Sequence, residues 1–120
     1  MKRILVTGGA GFIGSNFVRL LLEERPHYHV INLDKLTYAG NLSTLADIID
    51  HPRHSFVHGD IADGPLIESI FQEGVDAVVN FAAESHVDRS IEDPGVFIRT
   101  NILGVQVLLE AARRHDISFF

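Results

Sequence analysis

The sequence predicts an α/β fold, a doubly wound parallel sheet with helices on both faces. Three observations carry this reading. Apolar runs of strand length alternate along the chain with amphipathic segments of helix length, and such alternation with short connections builds parallel sheets. The first strand run, Ile4-Leu5-Val6, is apolar without a break, as in a strand buried on both faces. It feeds closely spaced glycines that open into a helical pattern: Val6-Thr7-Gly8-Gly9-Ala10-Gly11-Phe12-Ile13-Gly14.

The elements follow in order. Strand 1 covers about residues 3–7, and helix 1 runs from Phe12 to Glu24 with Val18, Leu21 and Leu22 facing the core. Pro26 stops it. Strand 2, His29-Val30-Ile31-Asn32-Leu33, ends at Asp34; Leu36 to Gly40 form a loop, and Asn41 or Ser43 caps a short helix through Ile49. Strand 3 is Ser55-Phe56-Val57-His58, leading to Gly59-Asp60-Ile61. Asp63 caps the next helix, with Pro65 near its first position, Leu66, Ile67, Ile70 and Phe71 as the buried stripe, and Gly74 as its end. Strand 4 spans Ala77 to Phe81, Asp93-Pro94 opens a long helix over about 94–115, and Ile117-Ser118-Phe119-Phe120 begins a fifth strand. No repeat, low-complexity tract or linker interrupts this order, so residues 1–120 read as one domain.

Composition narrows the partners. A net charge of −6 argues against a nucleic-acid backbone, and no stretch has the length and apolarity to span a bilayer. Cysteine is absent, which removes disulfides, thiolate ligands and a thiol nucleophile and fits a reducing cytoplasm. The seven histidines are scattered along the chain, and no metal is expected.

Ligands of such sheets lie beyond the carboxyl ends of the strands, which directs attention to Thr7, Asp34, Asp60 and Phe81. Gly9, Gly11 and Gly14 fit G-x-G-x-x-G, and Gly8 gives the alternative G-x-x-G-x-x-G. A strand, glycine turn and helix N-terminus together suit a pyrophosphate, because free N–H groups and the helix dipole both point at the anion. Asp34 follows Gly14 by twenty residues at the end of strand 2, where a carboxylate accepts from an adenosine ribose and repels a 2′-phosphate. That is the pattern of a Rossmann-type fold binding NAD rather than NADP. Lys35 works in the opposite sense. A glycine turn serving packing alone, with Asp34 solvated, is the competing reading; the agreement of turn, helix and acid weighs against it. Asp60 could accept from the adenine amino group with Ile61 on the ring, or it could simply cap a loop. At the end of strand 4 the small Ala82 and Ala83 would let a cofactor approach the backbone. A dense polar run follows, Glu84-Ser85-His86-Val87-Asp88-Arg89, which could face a substrate or satisfy itself.

Thr7-Gly8-Gly9-Ala10-Gly11-Phe12-Ile13-Gly14-Ser15 resembles the extended short-chain dehydrogenase/reductases, which act mainly on nucleotide sugars. Leu33 to Asn41, Ala82 to Ile91 and Thr100-Asn101-Ile102-x-Gly104 resemble the dTDP-glucose 4,6-dehydratase branch of that family. The resemblance implies a cofactor site in which Phe12 and Ile13 sit over the pyrophosphate, with Gly8, Gly11 and Gly14 beneath. In it Asp34, Lys35, Leu36 and Thr37 hold the ribose, and Asp60 and Ile61 hold adenine. Phe81, Ala82, Ala83 and Ser85 line the dinucleotide, Thr100 approaches it, and Ser85 touches the nucleotide sugar. The implied reaction moves hydride from the sugar C4 to NAD, eliminates water across C5 and C6, and returns hydride to C6.

The family's Tyr-x-x-x-Lys pair is missing. The two tyrosines, Tyr28 and Tyr38, are followed four residues on by Asn32 and Leu42. The family's Thr-Asp-Glu segment is missing too, so no catalytic residue is assigned. The resemblance therefore implies the amino-terminal part of a longer enzyme, incomplete at its fifth strand and inactive alone. It also implies a homodimer formed through the helix of residues 94–115, with Val96, Ile98, Leu103, Val107 and Leu109 as candidate contacts. A 4-epimerase or decarboxylase of the same superfamily is the nearest alternative, and a non-catalytic dinucleotide-binding module the more distant one.

Overall fold

A computed structural model of the chain describes residues 1–36, 42–82 and 94–120. Four strands form one sheet in the order β3-β2-β1-β4: β1 (Lys2–Thr7), β2 (Tyr28–Asp34), β3 (His54–His58) and β4 (Ala77–Asn80). All pairings are parallel, with Leu5 opposite both Ile31 and Val78. Helix α1 (Phe12–Glu24) follows β1, α2 (Gly64–Gln72) follows β3, and α3 (Pro94–Ile98) continues through a π-helical turn at Arg99–Gly104 into α4 (Val105–Arg114).

Side chains alternate along each strand, so every strand serves two cores. Leu5, Ile31, Leu33 and Val78 pack with Ile67, Ile70 and Phe71 of α2 and Leu108, Ala111 and Ala112 of α4. Ile4, Val6 and Val30 pack on the other face with Val18 and Leu22 of α1 and with Leu45 and Ile48. Both faces being covered explains the unbroken apolar runs. Farther along the α1 face, Ile4, Phe17, Leu21, Tyr28, Val79 and Phe119 line an open groove of about 610 Å3.

Most expected elements stand. Asp63 caps α2 by accepting from the Leu66 N–H at 3.2 Å, and Gly74 closes it with a φ of +109° and an N–H on the Phe71 carbonyl. Three differ. The expected short helix through Ile49 is a 3-10 helix at Leu42–Leu45 followed by turns. The Arg19 guanidinium binds the Thr44 carbonyl, which an α-helix would give to the Ile48 N–H; that N–H bonds Leu45 O instead. The expected uninterrupted helix over 94–115 contains the π turn, and there Gly104 packs so closely on Ile61 that a Cβ would lie 2.4 Å from its Cγ1. The fifth strand amounts to one parallel bridge, with the Val78 N–H on the Phe119 carbonyl.

Of the expected self-association contacts, Ile98, Leu103 and Leu109 are exposed. Val107 is half-buried and packs in part against the α2–α4 core. Ile102 joins the exposed set, and the side chain of Val96 lies outside those described. Among the described residues no helix is long and apolar enough to cross a membrane.

Candidate functional site

The carboxyl ends of β1, β2, β3 and β4 bring the glycine turn, Asp34, Asp60 and Phe81 to one edge of the sheet. β1 delivers the chain to Gly8, whose φ of +72° lies in the left-handed region that glycine tolerates. A Cβ there would stand 2.7 Å from the backbone of Phe81 and Ala82, so glycine lets the exits of β1 and β4 close together. The Gly8 carbonyl accepts from the Gly11 N–H at 3.2 Å, tightening the turn. A Cβ on Gly14 would fall 2.2 Å from that same carbonyl, which fixes how near α1 starts to the strand.

No side chain caps α1 at Gly11. The Ser15 N–H bonds back to the Gly11 carbonyl at 2.9 Å, and the amides of Phe12, Ile13 and Gly14 precede it, where a helix offers no acceptor of its own. The dipole places partial positive charge at the same point. Phe12 and Ile13 are 83% and 68% exposed, a large apolar pair at the mouth of the turn.

Asp34 is tied to this loop. Its Oδ2 accepts the Ala10 N–H at 2.9 Å, and its Oδ1 accepts the Leu36 N–H at 2.7 Å. Leu36 has a left-handed φ of +58°, an arrangement costing a non-glycine residue about 1–2 kcal/mol that the carboxylate helps to hold. Each oxygen keeps a further lone pair. Beneath the loop, the buried Asn32 Nδ2 lies 3.4 Å from the Gly9 carbonyl and 3.2 Å from His54 Nε2. Burial, with His51 and His29 nearby, pushes the His54 pKa down, against a weaker opposing bond to the Ile49 backbone.

Asp60 carries a second network. Its Oδ1 accepts the Ala62 N–H at 2.9 Å, and its Oδ2 accepts from Arg99 Nε at 2.9 Å with Lys35 Nζ at 3.6 Å. Partial burial works to raise the Asp60 pKa, but the Ala62 amide, the Arg99 guanidinium and the Lys35 ammonium together hold it below the ordinary carboxylate value. Ile61 is 3% exposed and committed to the α2–α4 core, so Asp60 is the member of that pair nearer solvent. Phe81 stacks at a tilt on Phe17 with ring centroids 5.4 Å apart. The Ala82 N–H points at Thr7 Oγ1, which bonds Asn80. Thr100, on the π turn, is buried with its hydroxyl lacking a hydrogen-bond partner among the described residues.

The structure thus gathers Gly8, Gly11, Phe12, Ile13, Gly14, Asp34, Lys35, Leu36, Asp60, Phe81 and Ala82 around the strand ends. Thr37, Ala83 and Ser85 lie outside the described residues. Sequence reasoning missed Arg99 and the Asn32–His54 pair. Asn32 left a trace, a lone amide inside an apolar strand; Arg99 left none.

A family model described as GDP-mannose 4,6 dehydratase matches residues 5–119. The chain is 60% identical over 114 residues to a dTDP-glucose 4,6-dehydratase of Xanthomonas campestris, which covers 94% of this chain and 32% of that protein. The solved structure of DesIV, a dTDP-glucose 4,6-dehydratase from Streptomyces venezuelae with NAD and TYD bound, is 55% identical with a TM-score of 0.88; the match covers 96% of this chain and 37% of that one. A UDP-glucose 4-epimerase of Thermotoga maritima, solved with UDP-glucose, reaches a TM-score of 0.85 at 36% identity over 98% of this chain and 36% of its own. The chain spans about a third of the length of the curated relatives it matches. A match running through nearly every described element settles the grouping: the chain belongs to the GDP-mannose 4,6 dehydratase family.

Proposed function

We propose that this chain is the cofactor-binding part of an NAD-dependent nucleotide-sugar 4,6-dehydratase acting on dTDP-glucose and yielding dTDP-4-keto-6-deoxyglucose. The observation that carries the proposal is the Asp34 carboxylate fastened to the glycine turn through the Ala10 N–H, with an uncapped helix start beside it. The residues suit a dinucleotide. Gly8 and Gly14, where a Cβ would collide with backbone, let the exits of β1 and β4 and the start of α1 draw tightly together, the amides of Phe12, Ile13 and Gly14 are placed for a diphosphate, and Asp34 retains lone pairs for ribose hydroxyls. Thr100 offers a buried hydroxyl without a partner among the described residues.

NAD would supply the hydride acceptor when bound there. The chain's own residues bind and orient it: the α1 amides neutralise the diphosphate, Asp34 fixes the ribose and disfavours a 2′-phosphate, and Phe12 and Ile13 cover the diphosphate from water. Thr37, Ala83 and Ser85 belong to the same proposed site, Ser85 also toward the sugar nucleotide. Relatives named dTDP-glucose 4,6-dehydratase reach 60% identity, whereas the epimerase structures stand at 27–36%, and this favours dehydration over epimerisation. The exposed stripe of Ile98, Ile102 and Leu109, at helical spacing on α3, the π turn and α4, supports a homodimer. A cysteine-free chain of net charge −6 suits a cytoplasmic enzyme with no nucleic-acid partner.

The test is the intact gene product incubated with dTDP-glucose and analysed by mass spectrometry. Loss of one water from the sugar nucleotide is expected. A change of configuration at C4 with no change in mass would make it an epimerase, and tighter binding of NADP than NAD would overturn the role given to Asp34.

A further inference from the structure

Two cations converge on one oxygen at the adenosine end of the site. The Asp34 carbonyl accepts the Gly59 N–H at 3.0 Å, so the ends of β2 and β3 lie side by side. Lys35 directly follows Asp34, and its carbonyl lies 3.0 Å from His58 Nε2. Its ammonium does not extend toward Asp34 but stands 3.6 Å from Asp60 Oδ2, the oxygen that also accepts from Arg99 Nε at 2.9 Å. The Asp60 side chain is only 17% exposed, which strengthens its pull on both partners relative to open water.

We infer that Asp60 is a specificity-determining residue for the 2′ position of the adenosine ribose: by engaging Lys35 and Arg99 it keeps either cation from supporting a 2′-phosphate. The inference rests on the dinucleotide reading of this site. Asp34 and Asp60 balance Lys35 and Arg99, leaving no net charge among the four. A 2′-phosphate brings roughly two negative charges and meets Asp34 with no free cation among these four residues. Removing the Asp60 charge leaves the group net positive and releases Lys35 one residue from Asp34, within reach of the added phosphate. Any adenine contact made by Asp60 is common to NAD and NADP, so it cancels in their ratio.

The experiment is calorimetric titration of the intact gene product, freed of cofactor, with NAD and with NADP. Asp60→Asn keeps an oxygen for the Ala62 N–H while losing the charge; Asp60→Ser, with a hydroxyl acceptor, serves if the first variant does not fold. The NADP-to-NAD ratio of dissociation constants is expected to shrink about tenfold in Asp60→Asn. It is expected to recover in part when Lys35→Met is added, Arg99 remaining released, and to hold near the unmodified value in Asp60→Glu. A ratio unmoved by loss of the Asp60 charge, with NAD still bound by the unmodified protein, overturns the inference and leaves the dinucleotide reading standing. An unmodified protein that binds neither cofactor removes that reading and the inference with it.

Discussion

Replacing Asp34 by asparagine tests the proposed site at its centre, because the brace seen in the structure and the proposed ribose contact can be measured apart. In the structure its two oxygens each accept a backbone amide, Ala10 at 2.9 Å and Leu36 at 2.7 Å. An asparagine has one oxygen and one NH2 group, so it can serve only one of these amides and turns a donor toward the other. The lost charge-assisted hydrogen bond, with a buried N–H left unpaired, amounts to about 2 kcal/mol. Expressed locally, that is a rise of about thirtyfold in amide hydrogen exchange for the peptide spanning the glycine turn. The second, proposed role is at the ribose, where exchanging a carboxylate for an amide acceptor should weaken NAD binding by about 1–3 kcal/mol, or roughly five- to 150-fold. Exchange is followed by mass spectrometry on the cofactor-free intact gene product, and binding by calorimetry. Faster exchange with unchanged NAD affinity would reduce Asp34 to a brace for the loop. Weaker NAD binding with unchanged exchange would remove the brace. No change in either would refute the reasoning altogether.

Two further expectations concern stability. The Arg53 guanidinium donates to the carbonyls of Leu22, Arg25 and Tyr28, satisfying the end of α1 and its turn into β2; Arg53→Ala should lower the unfolding free energy by about 1–3 kcal/mol in thermal denaturation. Arg53→Lys should recover only part of that, since one ammonium cannot reproduce the planar fork, and full recovery would count against the geometry. For His54, burial depresses the native pKa from the ordinary 6.5, so below that value the unfolded chain takes up a proton that the native ring refuses. Its contribution to stability is complete above 6.5 and declines as pH falls from there through the lower native value. His54→Gln should therefore flatten the fall in melting temperature on acidification through that window. The same slope in both proteins would show that titration elsewhere, including at His29, whose pKa burial and then Arg3 and Arg53 also lower, governs it.

What could be read from the residues divides along a physical line. Strands, helices and caps depend on neighbours in sequence: Asp63 four positions ahead of Ile67, a glycine at a left-handed turn, an apolar run without interruption. These came out with small boundary shifts. Where a distant group competes for a backbone atom, local reading fails. Arg19 takes the Thr44 carbonyl and converts an expected α-turn into a 3-10 one, while Ile61 presses on Gly104 from another element within a π turn. The site divides the same way. The turn and its acid were legible because twenty residues separate Gly14 from Asp34 in a recognisable βαβ unit. The Arg99 contact, 39 residues from Asp60, was not, since nothing local to either residue marks the other as its partner. Yet in the proposed site that contact bears on which charges stand free beside the ribose. Asp34 alone accounts for rejection of a 2′-phosphate only if the adjacent Lys35 is otherwise engaged, and the carboxylate that engages it sits at the end of a different strand. In the proposed site, cofactor preference is thus a property of two strand ends acting together.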